Sequence, residues 1–290
     1  MADPLNTCYL NGEYLPLRDA RVSPLDRAFL FADSVYEVLP AIGGRLFRFR
    51  EHFDRLARSL AAVRIRSPHS HSEWQAILEK LVQRNGSVDQ YLYVQVTRGA
   101  EYRRNHAFPA DISPTVFAMC SPLPQWTDTQ RERGFSAVTI EDFRWGRCDI
   151  KSTALLANVL MKQEAIEQGV NEAIIVRDGE VLEGASTSIL FLRGGVLVTP
   201  PDSNRILPGT TRDVALELAG GLFEVQSRTV KVEELFAADE VWMAAATRDV
   251  LPITRIDERT IGSGNPGPGW KQMADAFARY RARIAQTSAL

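Results

Sequence analysis

Cysteine, histidine and lysine are all scarce in this chain, and long apolar runs are missing. Of its 290 residues only Cys8, Cys120 and Cys148 are cysteine. An odd number of widely spaced thiols argues against a secreted disulfide framework and a four-cysteine zinc site. The four histidines, His52, His69, His71 and His106, form no cluster with acidic or sulfur partners, so no metal centre is expected. No apolar stretch reaches bilayer-spanning length, so no membrane partner is expected either. The start, Met1-Ala2-Asp3-Pro4-Leu5-Asn6-Thr7, has an acid and a proline where a signal peptide needs cations and an apolar core. A cytoplasmic location follows. A formal net charge of -2 gives no basic field for nucleic acid and no polybasic face for lipid. What remains is 45% hydrophobic and 24% charged, an ordinary globular composition suited to two modest domains or one large one.

Strand and helix signals mix without a regular βαβ rhythm, which favours an α+β fold built on antiparallel sheet. Asn11-Gly12 marks a hairpin between apolar flanks, and Gly43-Gly44 joins Val35–Val38 to Leu46–Phe49 in a second. Phe53, Leu56, Leu60 and Val63 repeat at helical spacing, and another helix fits Glu73 to Arg84. Tyr91–Val96 alternates as a strand. Residues 121–133, with two prolines and little periodicity, read as a linker between a small domain, 1–120, and a larger one, 134–290. In the second, Ser152 and Thr153 offer caps to a helix through Leu155, Leu156, Val159 and Leu160. Strands follow from Glu172 to Val198, a helix opens at Gly209-Thr210-Thr211, and a last helix starts near Trp270.

Five residues are lysine, Lys80, Lys151, Lys162, Lys231 and Lys271, among 34 basic side chains. Four sit among polar neighbours and read as solvated. Lys151 follows Cys148-Asp149-Ile150 and immediately precedes the capped helix. There the positive end of the helix dipole would favour the neutral amine, the form that attacks a carbonyl. The alternative is an exposed lysine at a strand–helix junction. Gly209-Thr210-Thr211 reads as an anion cradle or as a simple helix cap. Arg55 could add a fixed charge to a phosphate, or be a surface arginine. Glu183-Gly184-Ala185-Ser186-Thr187-Ser188 places a carboxylate before small and hydroxylic residues, suited to a protonated ring nitrogen.

These blocks together resemble the fold-type IV aminotransferases that use pyridoxal 5'-phosphate (PLP). The resemblance covers nearly the whole chain. It is most specific in Arg147–Ser152, Asn158–Ala165, Leu182–Ser188 and Leu207–Arg212. It implies a small N-terminal α/β domain and a larger C-terminal domain with a mixed, barrel-like sheet. It implies a homodimer, with Lys151 holding PLP as a Schiff base and Glu183 pairing with the pyridine nitrogen. Arg55, Ser186, Thr187, Gly209, Thr210, Thr211, Ala246 and Thr247 fall in the cofactor-binding positions.

Val35-Tyr36-Glu37-Val38 and Arg104-Asn105-His106 are similar to the D-amino acid branch of that family. There Tyr36 and Val38 would meet the substrate, and Arg104 and His106 of the partner subunit would hold its α-carboxylate with Tyr36. A guanidinium fork and an imidazole match a carboxylate well; by itself the same loop reads as a solvated basic turn. The implied reaction is ping-pong transamination between D-amino acids and 2-oxo acids. The rivals are a branched-chain L-amino acid aminotransferase, an aminodeoxychorismate lyase, an R-selective amine transaminase and a non-enzymatic phosphate-ligand binder. Two departures stand out. Phe31-Ala32-Asp33-Ser34 replaces a common Phe-Gly-Asp-Gly, and Ala245-Ala246 replaces a serine-threonine pair, leaving Thr247 as the nearby hydroxyl.

Overall fold

The computed structural model describes residues 6–86 and 88–286; residues 1–5, with the acid and proline of the chain start, lie outside the described residues. Internal packing divides the chain into two compact units. The first runs to Pro124 and takes in Ile150–Ala154, and the second comprises Gln125–Asp149 and Leu155–Gln286.

The first unit holds β1 (Thr7–Leu10), β2 (Glu13–Pro16), α1 (Arg27–Phe31), β3 (Ser34–Ile42), β4 (Arg45–Leu46), α2 (Phe49–Ala62), α3 (His71–Arg84), β5 (Gln90–Thr97) and β6 (Val116–Pro122). Asn11 and Gly12 turn the first hairpin at φ of 48° and 101°, angles that this pair adopts at low cost. Helix α3 begins two residues before Glu73 because Ser70 and Glu73 form a reciprocal capping box. The six strands make one antiparallel sheet in the order β2-β1-β6-β5-β3-β4. Leu92, Val94 and Val96 of β5 bury one face with Phe53, Leu56 and Leu60 of α2 and Trp74, Leu78 and Leu81 of α3. Tyr93 and Gln95 lie on the other face, by the alternation of a strand. Tyr36 pairs opposite Gln95 and Val38 opposite Tyr93. Ser34, Tyr36 and Val38 therefore share that second face, while Glu37 turns toward α2.

Residues 121–133 have regular structure at both ends and an irregular centre, 123–127, where the division between the units falls. Ser121 and Pro122 finish β6, paired with Tyr91 and Gln90, and Thr127 caps α4 (Asp128–Arg133) in a capping box with Gln130. A proline at the strand end and a threonine cap are compatible with regular structure on either side. The remaining elements are β7 (Phe135–Glu141), α5 (Leu156–Glu167), β8 (Glu172–Arg177), β9 (Glu180–Gly184), β10 (Ser188–Arg193), β11 (Val196–Thr199), α6 (Thr210–Ala219), β12 (Glu224–Ser227), α7 (Val232–Phe236), β13 (Glu240–Ala245), β14 (Asp249–Ile256), β15 (Arg259–Thr260) and α8 (Pro268–Gln286).

Their nine-stranded sheet runs β12-β11-β10-β13-β14-β7-β8-β9, with β15 on β14. The ladders β11–β12, β14–β7 and β7–β8 are parallel and the others antiparallel. A covalent link forces this sheet to curl. Flat, β9 and β10 would stand five strand spacings apart, roughly 24 Å. The chain from Gly184 to Ser188 spans at most about 14 Å. The sheet therefore bends back on itself, and the Gly184 N–H donates to the Thr187 carbonyl at 2.7 Å to close the turn. Burial on both faces explains the unbroken apolar run of β8: Ile174 joins the inner cluster with Phe191 and Met243. Ala173 and Ile175 pack instead with Met161 and Ala165 of α5. Both units are thus α+β, the first purely antiparallel and the second mixed and curled, as the resemblance implies. No helix among the described residues is long and apolar enough to cross a membrane.

The exchange of glycine for alanine in Phe31-Ala32-Asp33-Ser34 has a conformational cost. Ala32 ends α1 at φ 54°, ψ 30°, the left-handed region, where an L-residue costs roughly 1–2 kcal/mol relative to glycine. Glycine's extra freedom in the unfolded chain takes back about 0.4–1 kcal/mol. Ala32→Gly is therefore expected to stabilise the protein by about 0.5–1 kcal/mol. A higher urea midpoint with an unchanged slope would show it; a lower midpoint would refute it.

Candidate functional site

The segment that carries Lys151 is docked as an extra edge strand. The Tyr36 N–H donates to the Lys151 carbonyl at 2.9 Å, and the Thr153 N–H donates to the Ser34 carbonyl at 3.1 Å. Val35 and Ser152 form the bridge between these bonds. The Lys151 N–H donates to Ser59 Oγ of α2 at 3.2 Å, and its Nζ lies 4.4 Å from the Tyr36 ring centroid. This arrangement corrects the expectation that Lys151 abuts a capped helix. Helix α5 begins at Leu156 after Leu155, with no side-chain cap. Ser152 and Thr153 are spent on β3, and extended residues paired to a strand cannot also serve as the cap. The helix-dipole argument for Lys151 falls away, and the lysine is singled out by its place beside Tyr36. Lys162 also departs from a purely solvated role: its Nζ donates to the Asn171 carbonyl and lies 3.5 Å from Glu172.

Arg55 is buried, held by Glu37 from β3. Its Nε donates to Glu37 Oε1 at 2.7 Å and its Nη2 to Oε2 at 2.8 Å, a bidentate pair. His52, one turn earlier on α2, adds a contact from Nδ1 to Glu37 Oε2 at 2.8 Å. Burial alone would raise the Glu37 pKa, but the Arg55 charge and the bonds from Arg55 and His52 outweigh it and hold it well below the usual carboxylate range. Burial pushes the His52 pKa down in spite of Glu37. A neutral imidazole facing a carboxylate must donate from Nδ1.

Arg104 and His106 are exposed and share one aromatic neighbour. The Arg104 guanidinium sits 5.0 Å from the Phe31 ring centroid, and the His106 and Phe31 rings are 5.1 Å apart. Tyr36 has its ring contacts with Tyr93 and Lys151, whereas theirs are with Phe31. Their loop is fixed from below by a residue that the sequence reading missed. Buried Arg27 donates to the carbonyls of Asn105 at 2.6 Å, His106 at 3.2 Å and Ala107 at 3.4 Å. Asp33 balances its charge, accepting from Arg27 Nε at 2.8 Å and Arg98 Nε at 2.7 Å. Burial would raise the Asp33 pKa, but the two arginines lower it. The available signal was Asp33, retained between the two altered glycine positions.

In the second unit Glu183, the penultimate residue of β9, is buried. Its Oε1 accepts from Arg144 Nη1 at 2.5 Å and its Oε2 from the Leu207 N–H at 3.1 Å. Arg144 also binds Asp142; burial opposes its charge, but Asp142 and Glu183 raise its pKa. In an arginine-rich chain nothing in the spacing distinguished Arg144 from surface residues.

Polar groups gather around Ser188. A Cβ at Gly209 would fall 2.4 Å from Ser188 Oγ, so a side chain there would push the Ser188 hydroxyl from its place. Gly209 offers no side-chain cap, and the first-turn N–H groups of a helix have no partner within it. Thr210 and Thr211 follow, both buried. Thr187 Oγ1 is buried with no hydrogen-bond partner among the described residues. Ser188 pairs with Ala244, just before the turn that carries Ala246 and Thr247. Arg248, closing that turn, binds fully buried Glu172 at 3.0 Å, which also accepts from Ser186 Oγ at 3.3 Å. Neither Glu172 nor Arg248 was foreseen.

A family model described as Amino-transferase class IV matches residues 34–256. The chain is 41% identical over 269 residues to a D-alanine aminotransferase of Bacillus licheniformis, covering 92% of this chain and 94% of that protein. It is 35% identical over 274 residues to one from Staphylococcus haemolyticus, covering 94% and 96%. Among solved structures, a branched-chain amino acid aminotransferase from Escherichia coli superposes with a TM-score of 0.88 at 26% identity, over 95% of this chain and 94% of that one. A branched-chain amino acid aminotransferase from T.th., solved with pyridoxamine 5'-phosphate, does so with a TM-score of 0.88 at 26% identity, over 96% and 95%.

The Glu37–Arg55 pair ties stability to pH in one direction. A carboxylate whose pKa is depressed by folding contributes stability above its unfolded value, 4.5 for glutamate, and loses it as pH falls toward the folded value. Urea unfolding between pH 7 and 3 should show a loss below 4.5 that is smaller in Glu37→Gln. Glu37→Ala strands a buried guanidinium and is expected to cost about 3–5 kcal/mol at pH 7. Equal acid sensitivity of wild type and Glu37→Gln would show that the pair carries no such linkage.

Proposed function

Because the chain belongs to the class IV aminotransferases, we propose that it moves the amino group of D-amino acids, of the D-alanine and D-glutamate type, to 2-oxo acids. The reaction runs as two half-reactions with pyridoxal 5'-phosphate. The observation that carries the substrate class is the loop of Arg104 and His106. A guanidinium and an imidazole stand together on Phe31, exposed, on a backbone gripped by Arg27. That is a receptor for a carboxylate, the group that every such substrate shares. The relatives named D-alanine aminotransferases support the D-configuration; the branched-chain enzymes are fold relatives at 26% identity.

The residues present suit the cofactor. Buried Thr187 Oγ1 lacks a partner among the described residues, and the start of α6 at Gly209 carries no side-chain cap. Both are features of a phosphate cradle. Thr210, Thr211, Ser186, Ala246 and Thr247 complete it, and Arg55 adds the fixed charge. When bound, the cofactor supplies an aldehyde for the substrate amine and a pyridinium that draws electrons from the substrate's α-carbon. Lys151 would hold the cofactor's aldehyde and supply the base for the α-proton, with its amine beside the Tyr36 ring. Glu183 meets the ring nitrogen, and Arg144 supplies the positive charge that offsets a buried carboxylate. Tyr36 and Val38 meet the substrate, with Arg104 and His106 contributed by the partner subunit of a homodimer in the cytoplasm. Leu156, Val159 and Leu160 of α5 stand 73%, 57% and 52% exposed, an apolar row of the kind that a second copy covers.

The purified protein should be yellow, and borohydride should place the label on Lys151, with Lys151→Ala folded and inactive. A panel of D- and L-amino acids with 2-oxoglutarate should show turnover of D-alanine. Preference for L-leucine would install the branched-chain reading. Pyruvate release from aminodeoxychorismate would indicate the lyase, and preference for amines without a carboxylate the R-selective amine transaminase. Arg104→Ala removes a charged hydrogen bond worth roughly 1.5–3 kcal/mol. The specificity constant for D-alanine and for D-glutamate should fall about 10- to 100-fold alike, with cofactor binding spared. No loss on D-alanine would reduce the loop to a basic turn.

A further inference from the structure

The face of β3 and β5 that carries Tyr36 also carries a chain of hydrogen bonds ending at the Lys151 segment. Tyr93 Oη donates to Gln95 Oε1 at 2.9 Å. Gln95 Nε2 donates to Ser34 Oγ at 3.1 Å. Ser34 Oγ and Thr153 Oγ1 are 2.5 Å apart, and Thr153 Oγ1 donates to the Ala32 carbonyl at 3.2 Å. The polarity of the whole row is fixed from its ends. A carbonyl only accepts, so Thr153 spends its one proton on Ala32 and must accept from Ser34. Ser34, having given its proton, accepts from the Gln95 amide, whose oxygen is left for Tyr93. Burial pushes the Tyr93 pKa up to about 12, which keeps the phenol a donor at neutral pH. Chains with one direction polarise each member and resist displacement of any one.

The row is tied to Lys151 at two places. Thr153 is two residues beyond it in the docked segment, and Tyr93 stacks on Tyr36 with ring centroids 5.6 Å apart, the ring over which Lys151 Nζ sits. The backbone bonds that dock the segment run through Tyr36 N–H and Ser34 carbonyl and do not need the Ser34 hydroxyl. The hydroxyl adds a lateral hold on Thr153 that the backbone does not supply.

We propose that Ser34 and Gln95 are positioning residues for Lys151: through Thr153 they hold the lysine segment, and with it the amine, at its station beside Tyr36. This rests on the reading of Lys151 as the reactive amine. Neither residue meets substrate or cofactor in this scheme, so their loss acts on the rate of amine and proton transfer more than on binding. A reacting group displaced by about 1 Å can lose about 100-fold in rate; one lateral bond among several should account for about 10-fold.

The test compares holoenzymes of Ser34→Ala, Ser34→Thr, Gln95→Leu, Thr153→Val and the double variant Ser34→Ala with Thr153→Val. Ser34→Ala and Gln95→Leu are expected to lower kcat about 10-fold at unchanged KM and cofactor affinity. Ser34→Thr, which keeps the hydroxyl, should restore kcat, and the double variant should be no slower than its worse single parent. A readout independent of turnover is amide hydrogen exchange. The amides of Tyr36 and Thr153 should exchange faster in Ser34→Ala, with the rest of the β3–β5 ladder unchanged. If borohydride labels Lys151 but Ser34→Ala leaves kcat and exchange unaltered, the positioning role is overturned and the proposed function stands. A loss that appears in KM or in global unfolding, with kcat intact, also overturns it. Label on another lysine overturns the function reading and this inference with it.

Discussion

The short backbone pairing between β3 and residues 151–153 is the constraint on which the Tyr36 face of the first unit depends. Two hydrogen bonds, Tyr36 N–H to the Lys151 carbonyl and Thr153 N–H to the Ser34 carbonyl, draw a segment from the far side of a 25-residue excursion, Gln125–Asp149, back to this sheet. Strand pairing is directional and leaves little play along the strand. The same bonds therefore fix where along β3 the lysine sits and which ring it faces. On the other side of β3, Glu37 performs the matching task for Arg55 by a bidentate ion pair. One strand thus serves two chemistries by alternation, a neutral polar row on one face and a buried charge pair on the other.

The second unit obeys a different constraint, chain length. The three residues between β9 and β10 oblige the sheet to curl. They also bring the carboxylate of Glu183, near the end of one strand, close in sequence to the hydroxyls of Thr187 and Ser188 at the start of another. A buried carboxylate and a buried hydroxyl without a partner among the described residues, that of Thr187, are thereby supplied by one short corner. Arg144 and the Leu207 N–H satisfy the acid, and the helix start at Gly209 closes on Ser188 from the other side.

Much of this was legible in the residues. Apolar periodicity located α2, β5 and the run of strands from β8 to β11, because those segments bury faces whose period shows in the sequence. Lys151 stood out by rarity, and Glu183 and Gly209–Thr211 by their small neighbours. The expected geometry around Lys151 was nonetheless incorrect. Ser152 and Thr153 have the chemistry of helix caps, and only the presence of a distant strand edge made extended pairing the better use of them. Arg27, Arg98, Arg144 and Arg248 escaped notice for a related reason. A buried arginine is recognised by the carbonyls and carboxylates around it, which come from far along the chain, and its own sequence context is unremarked. The two prolines of 121–133 differ in their setting: Pro122 closes β6, where proline is tolerated, and Pro124 lies in the irregular stretch where the division between the units falls.

Arg27 grips the carbonyl oxygens of Asn105, His106 and Ala107 and leaves their side chains alone. Carbonyls are common to all residues, so the anchor is indifferent to what the loop displays. Position and identity are thereby uncoupled: the loop can be rewritten one side chain at a time while its path over Phe31 persists. On the proposed function, the same anchor would let the loop meet new substrates on an old frame. For an engineer it marks 104–107 as the stretch to randomise, and Arg27 and Asp33 as the pair to leave untouched.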